Sequence, residues 1–300
     1  MAELADLLDV DDISYLASDG TEPVGAVGVV PPPPPPRWNV APTDDVWAVT
    51  SKADDSGELH RRLRRYSWGL VPSWAKDPGV GSRSINARAE TVMDKPMFRN
   101  ALQRRRCIVP ADAFYEWEHD VTSGVGSSRG RRRGALPWCF RPAEGEIFAF
   151  AGLWEFWRAP GRPGADGARA DGSAGAAGAA GAAGAAGAAG AELRPMLVSC
   201  TILTTGANAA VAPIHDRMPV VLPPESWSDW LAPGAIDEDL VTVLFLPAPD
   251  DSIEGYRVAS LVNDVRRDGP ELMVPLRDGS AVATEAADDS IRLFDLDTLA

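Results

Sequence analysis

The sequence has few of the residues on which disulfide and metal chemistry depends. Among its 300 residues are three histidines and three cysteines, and Cys107, Cys139 and Cys200 show no paired spacing. An odd number of cysteines argues against a disulfide framework, and unclustered cysteines and histidines argue against a zinc site. We therefore expect reduced cysteines in the core, no metal and no cofactor.

Long apolar runs and an excess of positive charge are also missing. No run reaches the ~20 apolar residues of a membrane-spanning helix, and the start, MAELADLLDVDD, is acidic where a secretory signal is basic. We therefore expect a cytoplasmic protein with no membrane partner. A net charge of −14 argues against non-specific binding to duplex DNA. Basic residues cluster at 60–65, 104–106 and 129–133, so a local basic groove stays open.

Composition predicts one folded domain, residues 37–285, between two tails. Residues 1–36 combine a short amphipathic helical pattern with a proline-rich spacer, and residues 286–300 are an acidic tail. Segments at about 120–134 and 159–191 are rich in glycine and poor in large apolar side chains. We expect both to be disordered insertions, because they cannot offset the entropy cost of ordering. An alanine-rich helix is the alternative for 159–191, but the regularly spaced glycines of its repeat oppose it.

The remaining segments predict many strands and few short helices. Apolar runs rich in aromatic and β-branched residues predict strands at 46–50, 107–110, 136–140, 146–157 and 195–205. Helices are predicted at 94–105, where Asp94 precedes a proline in the first turn, and at 207–212, 224–231 and 236–244. This irregular order differs from the alternation of a parallel α/β sheet, so the predicted fold class is α+β.

One carboxyl group lies inside an aromatic strand-like run. Glu116 stands between Tyr115 and Trp117. An apolar setting raises the pKa of a carboxyl group toward neutrality, which suits a proton carrier. A strand residue on the solvent face fits the same pattern equally well.

Asn86 and Arg88 share one face of an extended segment, because they alternate with apolar residues in SINARAE. An amide can hold a reacting carbonyl oxygen, and an arginine can bind a phosphate. The alternative is an internal clamp in which Arg88 pairs with Glu90.

A histidine and a set of aromatic and polar residues complete the candidates. His215 lies in APIHDRMP, before an apolar strand, although an isolated histidine is more often a packing or capping residue.

A second group of candidates consists of aromatic and polar residues. Exposed aromatic residues and prolines can stack on unpaired bases, and burial in the core explains the tryptophans nearly as well. This second group comprises Asn39, Pro42, Trp74 and Trp117.

Five motifs together resemble the SOS-response-associated peptidase (SRAP) family, from about residue 37 to about residue 276. They are WGLVPSWAKD, SINARAET, RRCIVPADAFYEW, TTGANAAVAPIHDRMPVVL and VNDVRRDGPEL. The resemblance implies a mainly antiparallel, barrel-like sheet flanked by short helices. It also implies a monomer that shields abasic sites in single-stranded DNA and associates with the nucleoid when DNA is damaged. The family name implies a peptidase activity, which we interpret as removal of the initiator methionine.

The resemblance also assigns roles to the candidate residues. Glu116 would move protons, His215 would assist ring closure and its reversal, and Asn86 would orient the sugar. Arg88 would bind a DNA phosphate. The DNA channel would be bordered by Asn39, Pro42, Trp74, Trp117 and Thr205.

The nucleophile of the family is missing from the sequence. The family begins Met-Cys-Gly-Arg, and removal of the methionine leaves an amine and a thiol that can close a thiazolidine on the sugar aldehyde. This chain begins Met-Ala-Glu. Either the chain as given starts too late, since AELADLLDVDD resembles the helix that follows that strand, or the cysteine is lost and a non-covalent single-strand-binding module remains. We favour the first explanation because Asn86, Glu116 and His215 are all retained.

Overall fold

The computed structural model describes residues 2–14, 35–118, 135–145, 147–160 and 196–276. The strands are β1 Asp12–Ser14, β2 Asp45–Ala53, β3 Leu59–Trp68, β4 Asn86–Arg88, β5 Arg106–Ala111, β6 Phe114–Glu118, β7 Leu136–Pro142, β8 Phe148–Arg158, β9 Met196–Gly206, β10 Arg217–Pro219 and β11 Ile253–Arg257. The helices are α1 Ala2–Leu7, α2 Arg99–Arg104, α3 Trp227–Leu231 and α4 Glu238–Leu244, with 3₁₀ turns at Pro78–Arg83, Pro224–Ser226, Ser260–Asn263 and Pro270–Met273. The insertion predicted at 120–134, most of that at 159–191 and the acidic tail lie outside the described residues.

Five strands close into a barrel in the order β2, β5, β8, β9 and β3. Neighbours are antiparallel except β3 and β9, whose short parallel contact places Ser67 and Trp68 opposite Ser199 and Cys200. β1, β4 and β10 extend this sheet by pairing with β3 or β9. The predicted α+β class, with a mainly antiparallel barrel and short helices, is confirmed.

A second, three-stranded sheet of β6, β7 and β11 lies against the barrel. Phe114 of β6 stacks on Phe140 of β7 with ring centroids 5.1 Å apart. Its ring also lies 5.6 Å from that of Phe148 and 6.1 Å from that of Phe150, both on β8. Aromatic contacts therefore attach the small sheet to the barrel.

Side-chain alternation along the barrel strands separates two apolar clusters. Ala48 and Val49, neighbours on β2, belong to different ones. Val49 packs in a cluster with residues of the helices, such as Leu102 and Trp230. We call the other the inner cluster; its buried members are Ala48, Tyr66, Cys107, Val109, Phe140, Phe148, Phe150, Val198, Cys200, Ile202, Val211, Ile214, Met218 and Ile253, with Phe114 and Trp138 at its edge.

The three cysteines are buried, as predicted. Burial raises the pKa of the Cys107 thiol well above its usual value and also raises the pKa of Cys200. A thiol held protonated is a poor nucleophile. The prediction that these cysteines are core residues is therefore confirmed.

Two predicted helices differ from the structure. The helix predicted at 94–105 begins at Arg99, after turns over 91–98, although Phe98, Ala101 and Leu102 are buried as predicted. The helix predicted at 207–212 is wrong, because this stretch forms turns. The Asn208 side chain accepts a hydrogen bond from the Val211 N–H and donates to two carbonyls near residue 248, which favours a turn over a helix. Among the described helices, none has the length and apolar character needed to span a bilayer.

Candidate active site

Two short strands that carry or adjoin candidate residues, β4 and β10, pair with the C-terminal end of β9. β4 runs parallel to β9, with Asn86 opposite Ile202 and Arg88 opposite Thr204. β10 runs antiparallel to the same strand, with Arg217 opposite Gly206. β9 therefore lies between β4 and β10 at Thr204, which pairs with Arg88 on one side and with Pro219 on the other. A three-residue strand cannot be stable alone, so pairing with β9 positions each element.

A bidentate ion pair joins these two elements. The Arg217 guanidinium donates to the two carboxylate oxygens of Glu90 at 2.7 and 2.9 Å, and to the main-chain oxygen of Thr204 at 2.7 Å. The hydrogen bond and the positive charge of Arg217 hold the pKa of Glu90 below its usual value. Glu90 is therefore clamped to Arg217, whereas the clamp considered from the sequence paired it with Arg88.

His215 is 7% exposed, and the main chain of Arg217 holds its ring. Nδ1 lies 3.0 Å from the Arg217 nitrogen and 3.2 Å from the Arg217 oxygen. The exposed carboxylate of Asp216 is 3.5 Å from the same atom. A neutral ring can accept from the N–H, and a protonated ring can donate to the carbonyl, so either state of the ring has a partner.

Glu116 is 8% exposed, so the solvent-face interpretation is wrong. It lies opposite Trp138 on β7 and, by the alternation of a strand, on the same face as Phe114 and Glu118. The Trp138 indole donates to Glu118 at 3.1 Å. Glu116 therefore sits between aromatic neighbours on the face of the small sheet that packs on the barrel.

Each of the three candidate catalytic residues is adjacent, in strand register, in sequence or on one strand face, to a residue of the same apolar cluster. Ile202 lies opposite Asn86, Ile214 precedes His215, and Phe114 shares a face with Glu116. All three of these apolar residues belong to, or pack against, the inner cluster. An amide, a carboxyl group and an imidazole around apolar surroundings can orient a substrate and move protons.

Trp74 is 65% exposed on a loop that is otherwise anchored. The Trp157 indole donates to the Ala75 oxygen at 2.8 Å, and Val71, Ala75 and Trp157 pack together. An aromatic ring presented by a fixed loop suits stacking on an unpaired base. Core burial, the alternative for this tryptophan, does not occur.

Asn39 and Thr205 have side chains engaged inside the protein. Asn39 Nδ2 lies 3.1–3.2 Å from the oxygens of Val262, Asp264 and Arg267. Thr205 Oγ1 donates to the Phe245 oxygen at 2.6 Å. These bonds fix the surrounding segments, and a contact of either residue with DNA stays a prediction.

Trp117 and Pro42 are half-buried. The Trp117 indole donates to Asn263 Oδ1 at 2.7 Å, which ties β6 to the turn at Ser260–Asn263. The structure leaves part of each side chain accessible. Their contact with DNA also stays a prediction.

The basic run at 60–65 is not an open basic surface. It lies on β3, where acids of neighbouring segments pair with it: Arg62 with Asp12 at 3.7 Å and Arg65 with Asp45 at 3.9 Å. Exposed pairs at such distances contribute little stability, but they lower the local positive charge.

Sequence reasoning missed Arg217 and overlooked the true partner of Glu90. Two sequence features pointed to these residues. Arg217 directly follows Asp216 in HDRMP, and Glu90 lies on the same face as Asn86 and Arg88 in the alternating segment SINARAE. Their contact joins segments that are 127 residues apart, so no local pattern reveals it.

One group of side chains within the described ranges could in principle hold a metal ion, Asp54, Glu58 and His60 at the β2–β3 hairpin. Asp54 Oδ1 already accepts hydrogen bonds from the main chain of Ser56 and Glu58, as in an Asx turn. Hydrogen bonds from Ser56 and His60 lower the pKa of Asp54. The turn between β2 and β3 therefore explains why these three side chains lie together. The expectation that the protein holds no metal stays a prediction.

Known proteins resemble the chain over most of its length. The family described as SOS response associated peptidase (SRAP) matches residues 21–265. Abasic site processing protein YoqW of Bacillus subtilis (strain 168) is 36% identical over 236 residues, which cover 79% of this chain and 84% of the relative. Abasic site processing protein HMCES of Pongo abelii is 26% identical over 273 residues, which cover 82% of this chain and 67% of the relative.

A crystal structure of a protein from Bacteroides thetaiotaomicron superimposes with a TM-score of 0.56 at 20% identity, covering 78% of this chain and 82% of that one. At this identity the likeness shows a shared fold. The barrel, the family match and the identity to YoqW agree with one another. The chain therefore belongs to the SOS response associated peptidase (SRAP) family.

Proposed function

We propose that this protein processes abasic sites in single-stranded DNA. The observation that carries the proposal is that β4 and β10 both pair with the C-terminal end of β9, whose Ile202 belongs to the inner cluster. β4 carries Asn86 and Arg88, and His215 directly precedes the turn into β10, in a chain that is 36% identical to an abasic site processing protein.

The described surface favours unpaired DNA over a duplex. Trp74 presents an aromatic face to solvent, and such a face stacks on bases of any sequence when they are unpaired. The net charge of −14 and the paired state of the β3 arginines oppose a broad electrostatic contact with a duplex. Arg88, on the same face of β4 as Asn86, would bind a phosphate next to the damaged sugar.

The proposed chemistry begins at the aldehyde of the ring-opened abasic sugar. An N-terminal amine attacks the carbonyl carbon, and loss of water gives a Schiff base. The neighbouring thiol then adds to the imine carbon while its proton passes to the nitrogen, which closes a thiazolidine without a leaving group. Glu116 and His215 would carry the protons, and Asn86 would hold the sugar.

This covalent step needs an N-terminal cysteine, and the sequence as printed has alanine at position 2. The test therefore compares the printed chain with a version extended to begin Met-Cys-Gly-Arg. Each is mixed with a single-stranded oligonucleotide carrying one abasic site and run on a denaturing gel. We expect a surviving band from the extended version and none from the printed chain.

Two controls sharpen the experiment. A version beginning Met-Ser-Gly-Arg keeps the amine but loses the thiol, so it should give no stable product. In the extended version, Glu116→Gln should slow cross-linking by about 10²-fold or more, the usual range for a proton-transfer group. No band from the extended version under any condition would refute the covalent proposal.

A non-covalent single-strand-binding module is the second candidate, favoured by the exposed Trp74. It predicts equal affinity for intact and abasic strands, a steep loss of binding with salt, and no covalent product. Binding titrations of both strands with the printed chain separate it from the first proposal.

A further inference from the structure

We propose that Trp68, the last residue of β3, is a positioning residue for Asn86. Its indole holds the carbonyl group of Ile85, the residue that directly precedes Asn86 at the start of β4. The contact itself is a matter of the described geometry. What Asn86 does once it is held rests on the proposed function.

The backbone of Trp68 is fixed by main-chain hydrogen bonds. Its N–H donates to the Asp44 oxygen, and its own oxygen accepts from the Thr43 N–H, both at 2.8 Å. Trp68 also lies opposite Cys200 in the short parallel contact that closes the barrel. None of these bonds uses the side chain, so they remain available when the side chain is changed. The indole therefore projects from an anchored point of the barrel.

The indole reaches from this point to the residue before Asn86. Nε1 of Trp68 donates to the Ile85 oxygen at 2.9 Å, and the same oxygen accepts from the Ile202 N–H of β9 at 3.0 Å. A carbonyl oxygen has two lone pairs, so both bonds can form at once. Ile85 is 7% exposed, and the Trp68 ring packs against the inner cluster. The start of β4 is thus held by β9 and by the end of β3.

The two ends of β4 are held by different groups. At the far end the Ala89 N–H donates to the Thr204 oxygen at 2.9 Å, a bond in which the indole takes no part. Arg88 directly precedes this bond, whereas Asn86 lies at the end that the indole holds. Loss of the indole bond should therefore displace Asn86 more than Arg88. We expect it to slow the reaction more than it weakens the binding of DNA.

Amide hydrogen exchange of the printed chain tests the contact directly. Trp68→Phe keeps an aromatic ring against the inner cluster and removes only the N–H donor and the second ring. Peptides of residues 84–90, followed by mass spectrometry, should exchange about fivefold faster than in wild type, which corresponds to the loss of one hydrogen bond. Exchange at the wild-type rate would overturn the proposal.

Kinetics of the version extended to begin Met-Cys-Gly-Arg test the consequence. Trp68→Phe should slow cross-linking at saturating abasic oligonucleotide by about tenfold, as small displacements of reacting groups do. The dissociation constant for the abasic strand should stay within about twofold of wild type, because the change acts on the reaction rather than on binding.

An unnatural residue separates the hydrogen bond from packing. Benzothienylalanine at position 68 has a sulfur in place of the indole N–H and keeps the size and shape of the two rings. It should slow cross-linking by about the same factor as Trp68→Phe. A wild-type rate in this protein would show that packing alone matters and would overturn the proposal.

The matched control is Trp227→Phe, which removes another indole donor to a main-chain oxygen, that of Leu222 at 3.0 Å. Trp227 is 9% exposed and packs in the other apolar cluster of the barrel. This substitution should change neither the exchange of residues 84–90 nor the rate. If it slows cross-linking as much as Trp68→Phe, a general loss of stability explains both and the positioning role is wrong.

Two further outcomes are decisive. If Trp68→Phe weakens intact and abasic strands equally and leaves the rate at saturation unchanged, Trp68 acts in DNA binding and the positioning role is wrong. If the extended wild-type version forms no cross-link, the proposed function fails, while hydrogen exchange still decides whether the indole holds β4.

Discussion

Arg106 is the most deeply buried arginine among the described residues, at 5% exposure. Its guanidinium donates to the main-chain oxygens of Leu102 and Trp230 at 2.7 Å, and also to those of Ala232 and Gly234. These carbonyls lie at or beyond the last turns of α2 and α3, where helices leave oxygens unpaired. Burial lowers the pKa of Arg106. Its single side chain nevertheless supplies hydrogen-bond donors to the carbonyl groups at the ends of two helices.

Arg106→Met should destabilise the protein by about 3 kcal/mol, because several buried carbonyls lose their donors. Urea unfolding followed by tryptophan fluorescence measures the change. The control is Arg104→Met on the exposed side of α2, expected to cost at most about 0.5 kcal/mol. Equal effects of the two substitutions would contradict the capping role.

At the scale of the residue, the sequence predicted which side chains are buried better than it predicted which side chains pair with each other. The buried cysteines follow from their apolar strand-like runs. The Glu90–Arg217 pair does not, because it depends on β4 and β10 both pairing with β9. Ion pairs between distant segments depend on the tertiary fold, and local sequence periodicity does not predict them.

The loop after β3 depends on a close crossing of two glycines. Gly69 has a φ of +139°, and a Cβ on it would lie 2.5 Å from the Gly81 oxygen. A Cβ on Gly81 would in turn lie 2.6 Å from the Gly69 oxygen. The crossing packs the start of the loop against the turn at Pro78–Arg83 and so fixes the segment that presents Trp74.

Gly69→Ala should cost about 3 kcal/mol, since it combines an unfavourable φ with a collision against main chain. Gly145→Ala is the matched control, with a φ of +89° and no atom within 4 Å of the added Cβ. It should cost about 1 kcal/mol, the penalty of the conformation alone. Thermal unfolding compares the two; a cost for Gly69→Ala no larger than the control would show that the loop yields without strain.

At the scale of the element, apolar runs predicted the strands well and the helices unevenly. The helices predicted at 224–231 and 236–244 are confirmed by the turn at Pro224–Ser226 with α3 and by α4. The strands at 46–50, 107–110, 136–140, 146–157 and 195–205 correspond to β2, β5, β7, β8 and β9. Those runs are long enough for burial to decide the conformation. The stretch 207–212 has helix-forming alanines, yet the hydrogen bonds of Asn208 to a distant segment override that propensity.

The two ends of the described domain are fastened to each other. The Trp38 and Asn39 N–H groups donate to Asp268 Oδ1 at 2.6 and 3.1 Å, and Arg37 pairs with the other oxygen. Burial opposes ionisation of Asp268, but these N–H groups and the Arg37 charge outweigh it and hold its pKa below the usual value. The carboxylate therefore joins segments 229 to 231 residues apart.

Asp268→Asn should lower stability by about 1 kcal/mol at neutral pH. Because the folded pKa of Asp268 is depressed, the wild-type advantage is fully present above an unfolded pKa of about 3.9 and disappears as the pH falls through the folded value. Urea unfolding of both proteins from neutral to acid pH measures this. Asp251→Asn, at an exposed position, is the control. A difference for Asp268→Asn that persists in acid would contradict the role of the charge.

At the scale of the whole molecule, the barrel came from the resemblance to a family and not from patterning. Periodicity predicts strands and their faces, but the parallel contact that closes β3 on β9 involves two pairs of residues and no distinctive sequence. The same holds for the places of Asn86 and Glu116, since β4 belongs to the barrel sheet and β6 to the small sheet.

β8 and β9 remain paired to their outermost residues, Arg158 opposite Met196. Arg158 and Met196, the residues on either side of 159–195, are therefore adjacent in space, whatever the length of the segment that connects them. Closure entropy rises by only about 0.6 kcal/mol for each doubling of a flexible connection. A tight turn, a fluorescent protein or an affinity tag could replace this segment with little effect on folding, so this connection is a suitable place to attach a label.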